Sequence, residues 1–236
     1  MSLPVAILAG GLATRLRPVT ETIPKSLVEV AGRPFAEHQI ELLVRHGLTD
    51  LVFLVGHLGE MIRETIGDGS RFGARIRYVL DGPVAMGTGG AIGRALPELG
   101  DAFFVLYGDS YLECDYPAVE RTFVASRKAA LMTVCRNDDQ WDRSNVLYAD
   151  GRIVRYDKSG TVEGMRHIDY GLGVLTARAF ASRTEQAFDL ASLYQDLLAQ
   201  DDLASFDVPT RFYEIGSPAG LAATREYFAG RESTRG

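Results

Sequence analysis

Two stretches of this sequence have residue types and spacing suited to phosphate chemistry. The first is LAGGLATRLRPVTETIPKSL, residues 8–27. Gly10 and Gly11 end an apolar run, and glycine lets backbone amides approach a ligand and curl into an anion-binding concavity. Thr14 adds a hydroxyl, Arg15 can pair with phosphate oxygens in a fork, and Lys25 can reach one as a compact point charge. The spacing is neither that of a dinucleotide-binding glycine fingerprint nor that of a P-loop, which ends in Gly-Lys-Ser/Thr. The second stretch is Tyr-Gly-Asp-Ser, residues 107–110. A carboxylate there, Asp109, suits Mg²⁺, which takes one or two protein carboxylates and fills its octahedron with water and substrate phosphates.

Such groups need a scaffold that brings chain-distant residues together. Short, almost entirely apolar runs at residues 3–9, 50–55 and 102–107 read as buried strands, and residues 75–80 read as a further strand. Between them, residues 35–46, 58–66 and 88–96 read as helices. Strands that do not alternate apolar and polar residues, separated by helices, imply a mainly parallel sheet covered on both faces, a Rossmann-like α/β fold. Ligands of such sheets bind beyond the carboxyl ends of the strands, where the glycine loop and Asp109 fall. The second half is more mixed. Residues 129–136 and 170–175 read as strands, and 145–148 and 152–157 flank the turn Ala149-Asp150-Gly151 as a hairpin. Residues 190–199 and 218–228 read as helices. One domain over 1–230 is expected, with a nucleotide-binding half (1–110), an acceptor-binding half (111–230) and a loose tail (231–236).

Composition narrows the function. Apolar residues make up 46% and charged residues 24%, as in ordinary globular proteins. No apolar run reaches the roughly 20 residues of a membrane span, and no signal peptide is evident. A net charge of −6 argues against nucleic-acid binding and would repel a polyphosphate, so a local basic cluster, backbone amides and a metal ion are needed. Cys114 and Cys135 have no metal or redox spacing, which fits a reducing, cytoplasmic setting. Only three of the 25 basic residues are lysines: Lys25, Lys128 and Lys158.

Residues 8–27 resemble the signature of the sugar-phosphate nucleotidylyltransferase family, G-G-x-(G/A)-T-R-L-x-P-x-T…P-K, matched by Gly10, Gly11, Ala13, Thr14, Arg15, Leu16, Pro18, Thr20, Pro24 and Lys25. The resemblance implies that Leu8, Ala9, Gly10, Gly11 and Thr14 bind the nucleotide and that Arg15 and Lys25 hold its phosphates. It makes Asp109 a metal ligand and places Gly87, Thr88 and Gly89 against base and ribose. Glu214, in Phe-Tyr-Glu-Ile-Gly-Ser, stands where the family has a second metal-binding aspartate. Tyr156-Asp157-Lys158 resembles the family's F-x-E-K-P element, which makes Lys158 a contact of the acceptor's phosphate. Residues 167–175 resemble the sugar-contacting strand, with Gly171 on the motif glycine and Asp169 in place of an asparagine. Residues 80–86 lack the glutamine of many thymidylyl- and uridylyltransferases, which weakens the case for those bases.

By that resemblance, the expected reaction joins a nucleoside triphosphate to a sugar 1-phosphate and releases pyrophosphate with Mg²⁺, and no membrane or nucleic-acid partner is expected. No catalytic triad is expected, and His38, His46, His57 and His167 lie in no catalytic motif. The compact form resembles heptose 1-phosphate guanylyltransferases and muramate 1-phosphate uridylyltransferases, without the β-helix extension of some relatives. Alternatives are a cytidylyltransferase for a non-sugar phosphate, a non-catalytic nucleotide-sugar sensor, and a glycosyltransferase, whose usual D-x-D is not met by Asp109-Ser110-Tyr111. Base, acceptor, pathway and any homo-oligomer are left open.

Overall fold

A computed structural model describes residues 2–11, 14–16, 18–82, 85–159 and 162–233. The first half contains β1 (Val5–Leu8), β2 (Glu29–Val30), β3 (Arg33–Pro34), α1 (Phe35–Arg45), β4 (Asp50–Val55), α2 (Gly59–Ile66), β5 (Arg75–Leu80), α3 (Gly87–Leu99) and β6 (Ala102–Tyr107). The second contains β7 (Ser110–Tyr111), α4 (Tyr116–Ser126), β8 (Ala130–Arg136), β9 (Val146–Ala149), β10 (Arg152–Tyr156), β11 (His167–Thr176), α5 (Leu190–Ala199), β12 (Leu203–Asp207), β13 (Tyr213–Glu214) and α6 (Pro218–Ser233).

The central sheet runs β10-β9-β11-β6-β1-β4-β5. Strands β5, β4, β1 and β6 are mutually parallel. β11 returns antiparallel beside β6, and β8 and β12 continue the sheet from it. The sequence pattern accounts for the burial. In β4, Leu51, Phe53 and Val55 face one core with Ile40, Ile62 and Tyr116, while Val52 and Leu54 face a second with Ile92, Leu193 and Leu197. A strand covered by helices on both sides must be apolar at every position, so its alternation disappears. A third, smaller cluster of Val28, Phe35, Tyr111, Ile215 and Phe228 seats α6 behind the loop that carries Lys25.

Several local expectations change. Residues 116–126, for which no element is expected, form α4, capped by Asp115, whose carboxylate accepts the Ala118 N–H at 2.9 Å. β12 and the two-residue pair β7–β13 are likewise additions. β11 is longer than expected and carries a bulge between Asp169 and Gly173. The hairpin turn is as expected, with Asp150 and Gly151 both at positive φ (50° and 74°). α6 runs on through Ser233 rather than ending near 230, and Arg231 is anchored on the Glu113 carboxylate and the Tyr227 hydroxyl.

Candidate active site

Four parallel strands end side by side, and the segments that leave them enclose a cavity of about 300 Å³. Leu8, Ala9, Gly10 and Gly11 form one wall, Lys25 and Ser26 another. Leu54 and Asp81 close it on the β4–β5 side, Met86, Gly87 and Thr88 at the start of α3, and Tyr107, Gly108 and Asp109 at the end of β6. Glycine at 108 leaves a tight contact open: a Cβ there would stand 3.0 Å from the Leu8 carbonyl oxygen.

At one end of the cavity, Lys25 Nζ donates to Asp109 Oδ2 at 2.7 Å, with the two side chains only 19% and 25% exposed. The turn carrying Asp109 is held from both sides. Gln39, on the buried face of α1, donates from Nε2 to the carbonyls of Tyr107 (2.9 Å) and Ser110 (2.7 Å). The Ile215 N–H donates to the Asp109 carbonyl at 2.9 Å. The β7–β13 pairing sets Glu214 opposite Ser110, which brings a carboxylate from the far end of the chain beside Asp109. A Cβ on Gly216 would lie 2.8 Å from Glu214 Oε2, 3.0 Å from Asp109 Oδ2 and 3.4 Å from Lys25 Nζ. Three charged groups therefore surround one point that glycine leaves open.

Glu214 has a second task. Its carboxylate accepts the N–H groups of Gly216 and Ser217 and the Ser217 hydroxyl (2.6 Å), capping the start of α6. That fixes where its oxygens point. Among the described residues, no group of three or more His, Cys, Asp or Glu is arranged to hold a metal by itself. Two convergent carboxylates instead match an ion that takes its remaining ligands from phosphate and water. Ser26 is 3% exposed on the cavity wall, and its hydroxyl has no partner among the described residues. A buried hydroxyl in that state is suited to a ligand oxygen.

The remaining expected residues divide. Leu12, Ala13 and Arg17 lie outside the described residues, and so does the side chain of Thr14. Arg15 is exposed in the single turn Thr14–Leu16 and is not part of the cavity lining. Gly87 and Thr88 reach the cavity, but Gly89 turns away: a Cβ on it would strike the Phe188 ring at 2.2 Å. Glycine at 89 is thus explained by internal packing. The Thr88 hydroxyl accepts the Leu190 N–H at 2.8 Å and donates to Asp189 Oδ1 at 3.3 Å, joining α3 to α5.

Lys158, Asp169, Gly171 and Glu214 stand outside the cavity lining. Lys158 Nζ donates to Asp189 Oδ2 at 2.5 Å. Asp189, a residue the sequence reading did not single out, is also the N-cap of α5, accepting the Ala191 N–H. Burial raises the Asp189 pKa, but the Lys158 ammonium and the Ala191 N–H outweigh it and leave the carboxyl below its usual range. Asp169 Oδ1 accepts the Gly171 N–H at 3.0 Å, and Oδ2 accepts the Tyr156 hydroxyl at 3.3 Å. Burial pushes this carboxyl up to about 6. Gly171 (φ +90°) faces Tyr107, whose backbone leads into the Asp109 turn. Asn145 is structural: its Oδ1 accepts the Asp169 N–H at 2.8 Å.

An open α/β sheet with its cavity over the carboxyl ends of the central parallel strands belongs to the ligand-binding class of doubly covered sheets. Within that class the chain is a member of the nucleotidyl transferase family, whose model matches residues 5–145. It is 35% identical over 186 residues to the UTP–glucose-1-phosphate uridylyltransferase of Synechocystis sp., covering 71% of this chain and 47% of that one. It is 31% identical over 228 residues to the mannose-1-phosphate guanyltransferase of Kluyveromyces lactis, covering 90% and 61%. The chain thus spans between about half and three-fifths of the length of these curated relatives. HddC from Yersinia pseudotuberculosis, solved in complex with GMP-PN, shares the fold: TM-score 0.81 at 24% identity, over 96% of this chain and 100% of that one. Among the described residues no helix is long and apolar enough to cross a membrane.

Proposed function

We propose that this chain transfers a nucleotidyl group from a nucleoside triphosphate to a sugar 1-phosphate and releases pyrophosphate, with Mg²⁺ as its metal. The observation that carries the reading is the convergence of Lys25, Asp109 and Glu214 on one point at the end of the cavity. A phosphate oxygen of the acceptor attacks the α-phosphorus in line. The bond from that phosphorus to the bridging oxygen breaks, and pyrophosphate leaves with the electron pair. The attacking oxygen is already ionised at neutral pH, so no general base is required, and none of the histidines is among the cavity-lining residues.

The residues then have distinct tasks. Backbone amides of Gly10 and Gly11 cradle phosphate oxygens. Arg15, exposed on the same loop, reaches the triphosphate from outside the cavity lining, and Thr14 is assigned to the same triphosphate. Lys25 exchanges its contact with Asp109 for a phosphate oxygen and offsets charge developing at phosphorus. The carboxylates of Asp109 and Glu214 are the groups that would hold Mg²⁺, which neutralises triphosphate charge when bound. Catalysis then rests on positioning and charge compensation, as is general for phosphoryl chemistry. Lys158 takes the acceptor's phosphate by leaving Asp189, and Asp169 with Gly171 receives sugar hydroxyls. The names of the relatives, a uridylyltransferase and a guanyltransferase of sugar 1-phosphates, support the reaction class. A cytoplasmic place in nucleotide-sugar and polysaccharide synthesis fits this reading.

Pyrophosphate release should be measured across the nucleoside triphosphates and a panel of sugar 1-phosphates with Mg²⁺. We expect release with one triphosphate and one acceptor, reduced at least a hundredfold in Asp109→Asn, of the order seen when a transition-state charge contact is lost. Nucleotide binding without turnover on any acceptor would favour a sensor instead.

A further inference from the structure

We propose that Arg211 binds an anionic substituent of the acceptor sugar, so that the preferred sugar 1-phosphate is itself an acid. The inference rests on the reaction proposed above and adds a contact on its acceptor side. β8 and β6 both run antiparallel to β11, and β12 runs parallel to β8, so β8 and β12 end at the same edge of the sheet as β6. The cavity lies over β5, β4, β1 and β6, while β11, β8 and β12 continue from β6 the other way. From β12 the chain returns across those strand ends to the pairing of β13 with β7 beside Asp109. On that path the Thr210 carbonyl accepts Cys135 Sγ of β8 at 3.7 Å, and the Phe212 ring meets Tyr170 of β11 at 6.2 Å. Arg211 lies between them, three residues before Glu214, which is at most about 10 Å of chain. A sugar whose phosphate lies at Asp109 and Glu214 has its far substituents within reach of that side chain.

The surroundings fix this guanidinium and give it no anion. Its Cζ lies over the rings of Trp141 (5.2 Å to the centroid) and Tyr213 (4.8 Å). Both rings are themselves held: Trp141 meets Phe212 edge-on at 5.9 Å, and Tyr213 stacks on Tyr227 at 4.0 Å. The loop carrying Trp141 is tied by Asn137, 1% exposed, whose Nδ2 donates to the Asp142 carbonyl (2.6 Å) and to Ser144 Oγ (3.1 Å). Aromatic rings attract the charge but offer no oxygen to its N–H groups. Arg211 Nε is buried with no hydrogen-bond partner, and among the described residues no hydrogen bond or ion pair engages the rest of the guanidinium. The nearby acids are committed elsewhere. Asp138 pairs with Arg136 (2.8 Å) and Arg166 (3.8 Å), and Asp139 accepts the Ser144 N–H at 2.7 Å.

A buried donor without an acceptor is costly, and a bound oxygen removes that cost. A guanidinium presents its donors as a planar fork, which matches the paired oxygens of a carboxylate or phosphate group. A sugar hydroxyl brings one oxygen and no charge, so a neutral sugar satisfies the fork poorly. Held in place by rings, the cation loses little freedom when the anion arrives. In a chain of net charge −6, an acidic substituent needs such a local cation to be accepted at all.

Pyrophosphate release with Mg²⁺ and each nucleoside triphosphate tests this on 1-phosphates that differ in one group. Glucose, galactose and mannose 1-phosphates are compared with the corresponding uronic acid 1-phosphates and with the 1,6-bisphosphates. The acceptor of highest kcat/KM should be an acid, exceeding its neutral parent by about 10-fold or more, the effect of one charge-assisted hydrogen bond. Whether the uronic acid or the bisphosphate leads tells a carboxylate from a phosphate. Arg211→Gln should lower kcat/KM for that acid by about 10–100-fold, mainly through KM, and bring its ratio to the neutral parent close to one. A neutral sugar as the best acceptor, or an acid no better than its parent, overturns the inference and leaves the proposed reaction standing. So does an equal loss on acid and parent in Arg211→Gln, which a merely structural arginine would give. Release with no acceptor in the panel overturns both. The wild-type arms decide the matter even if the variant fails to fold.

Discussion

Asp169 should make the folded protein less stable as the pH rises through the weakly acidic range. Its carboxyl is buried at the bulge of β11, with one oxygen on the Gly171 N–H and the other on the Tyr156 hydroxyl. Burial raises its pKa from an ordinary 3.8 to about 6, against the opposing pull of those bonds and of Lys158. Between these two values the folded state keeps a proton that the unfolded chain has released. Linkage then requires the contribution of Asp169 to stability to be greatest below about pH 4 and to be lost as the pH rises through about 6. At 1.36 kcal/mol per pH unit, the interval from 3.8 to about 6 amounts to about 3 kcal/mol. Asp169→Asn keeps the size and the acceptor for Gly171 but cannot ionise. Urea denaturation of both proteins from pH 4 to pH 7 measures the difference. The variant's stability relative to the wild type should increase by about 2 to 2.5 kcal/mol across that range, most of it between pH 4 and 6. A gap independent of pH, or one that moves the other way, would refute the assignment of a buried, high-pKa carboxyl.

Other perturbations follow from the same geometry. Gly216→Ala puts a methyl group 2.8 Å from Glu214 Oε2 and 3.0 Å from Asp109 Oδ2. It should cost about 1–3 kcal/mol of stability in thermal melts, lower kcat at least tenfold and raise the Mg²⁺ concentration for half-maximal rate. Gln39→Met leaves the Tyr107 and Ser110 carbonyls without their donor but also removes a buried Oε1 that has no partner among the described residues. The net loss should be about 1–3 kcal/mol by denaturation, with a fall in kcat and little change in nucleotide affinity. Lys158→Ala should raise KM for the sugar phosphate about tenfold or more while leaving calorimetric triphosphate binding unchanged, since Lys158 lies outside the cavity lining.

The sequence carried the parallel half of the fold well because its strands obey a local rule. β4 and β6 are short, almost wholly apolar runs ended by glycine-containing turns, while β5, at the edge of the sheet, carries arginines at alternate positions; the observed bounds of all three match the expected ones. α4 carries a local signal too, an aspartate two residues before a proline at its start. β7 and β13 could not be read, because a two-residue strand has no periodicity and exists only through its partner. The site shows the same divide. Lys25 and Asp109 could each be named from local motifs, but their 2.7 Å contact spans 84 residues. Gln39 looks like any polar residue on a helix until α1 packs behind β6. Asp189 announces itself as an N-cap, yet its grip on Lys158 and Thr88 depends on how α5 meets α3. Gly89 is the converse case: a motif glycine whose need for space comes from Phe188.

The most direct test follows the transferred group itself. A nucleoside triphosphate labelled at its α-phosphorus should be incubated with a sugar 1-phosphate and Mg²⁺, and the products separated. The account predicts that the label passes into a nucleotide sugar, in step with unlabelled pyrophosphate, and only when both the acceptor and Asp109 are present. Label appearing as free nucleoside mono- or diphosphate at the same rate without the sugar phosphate would contradict it.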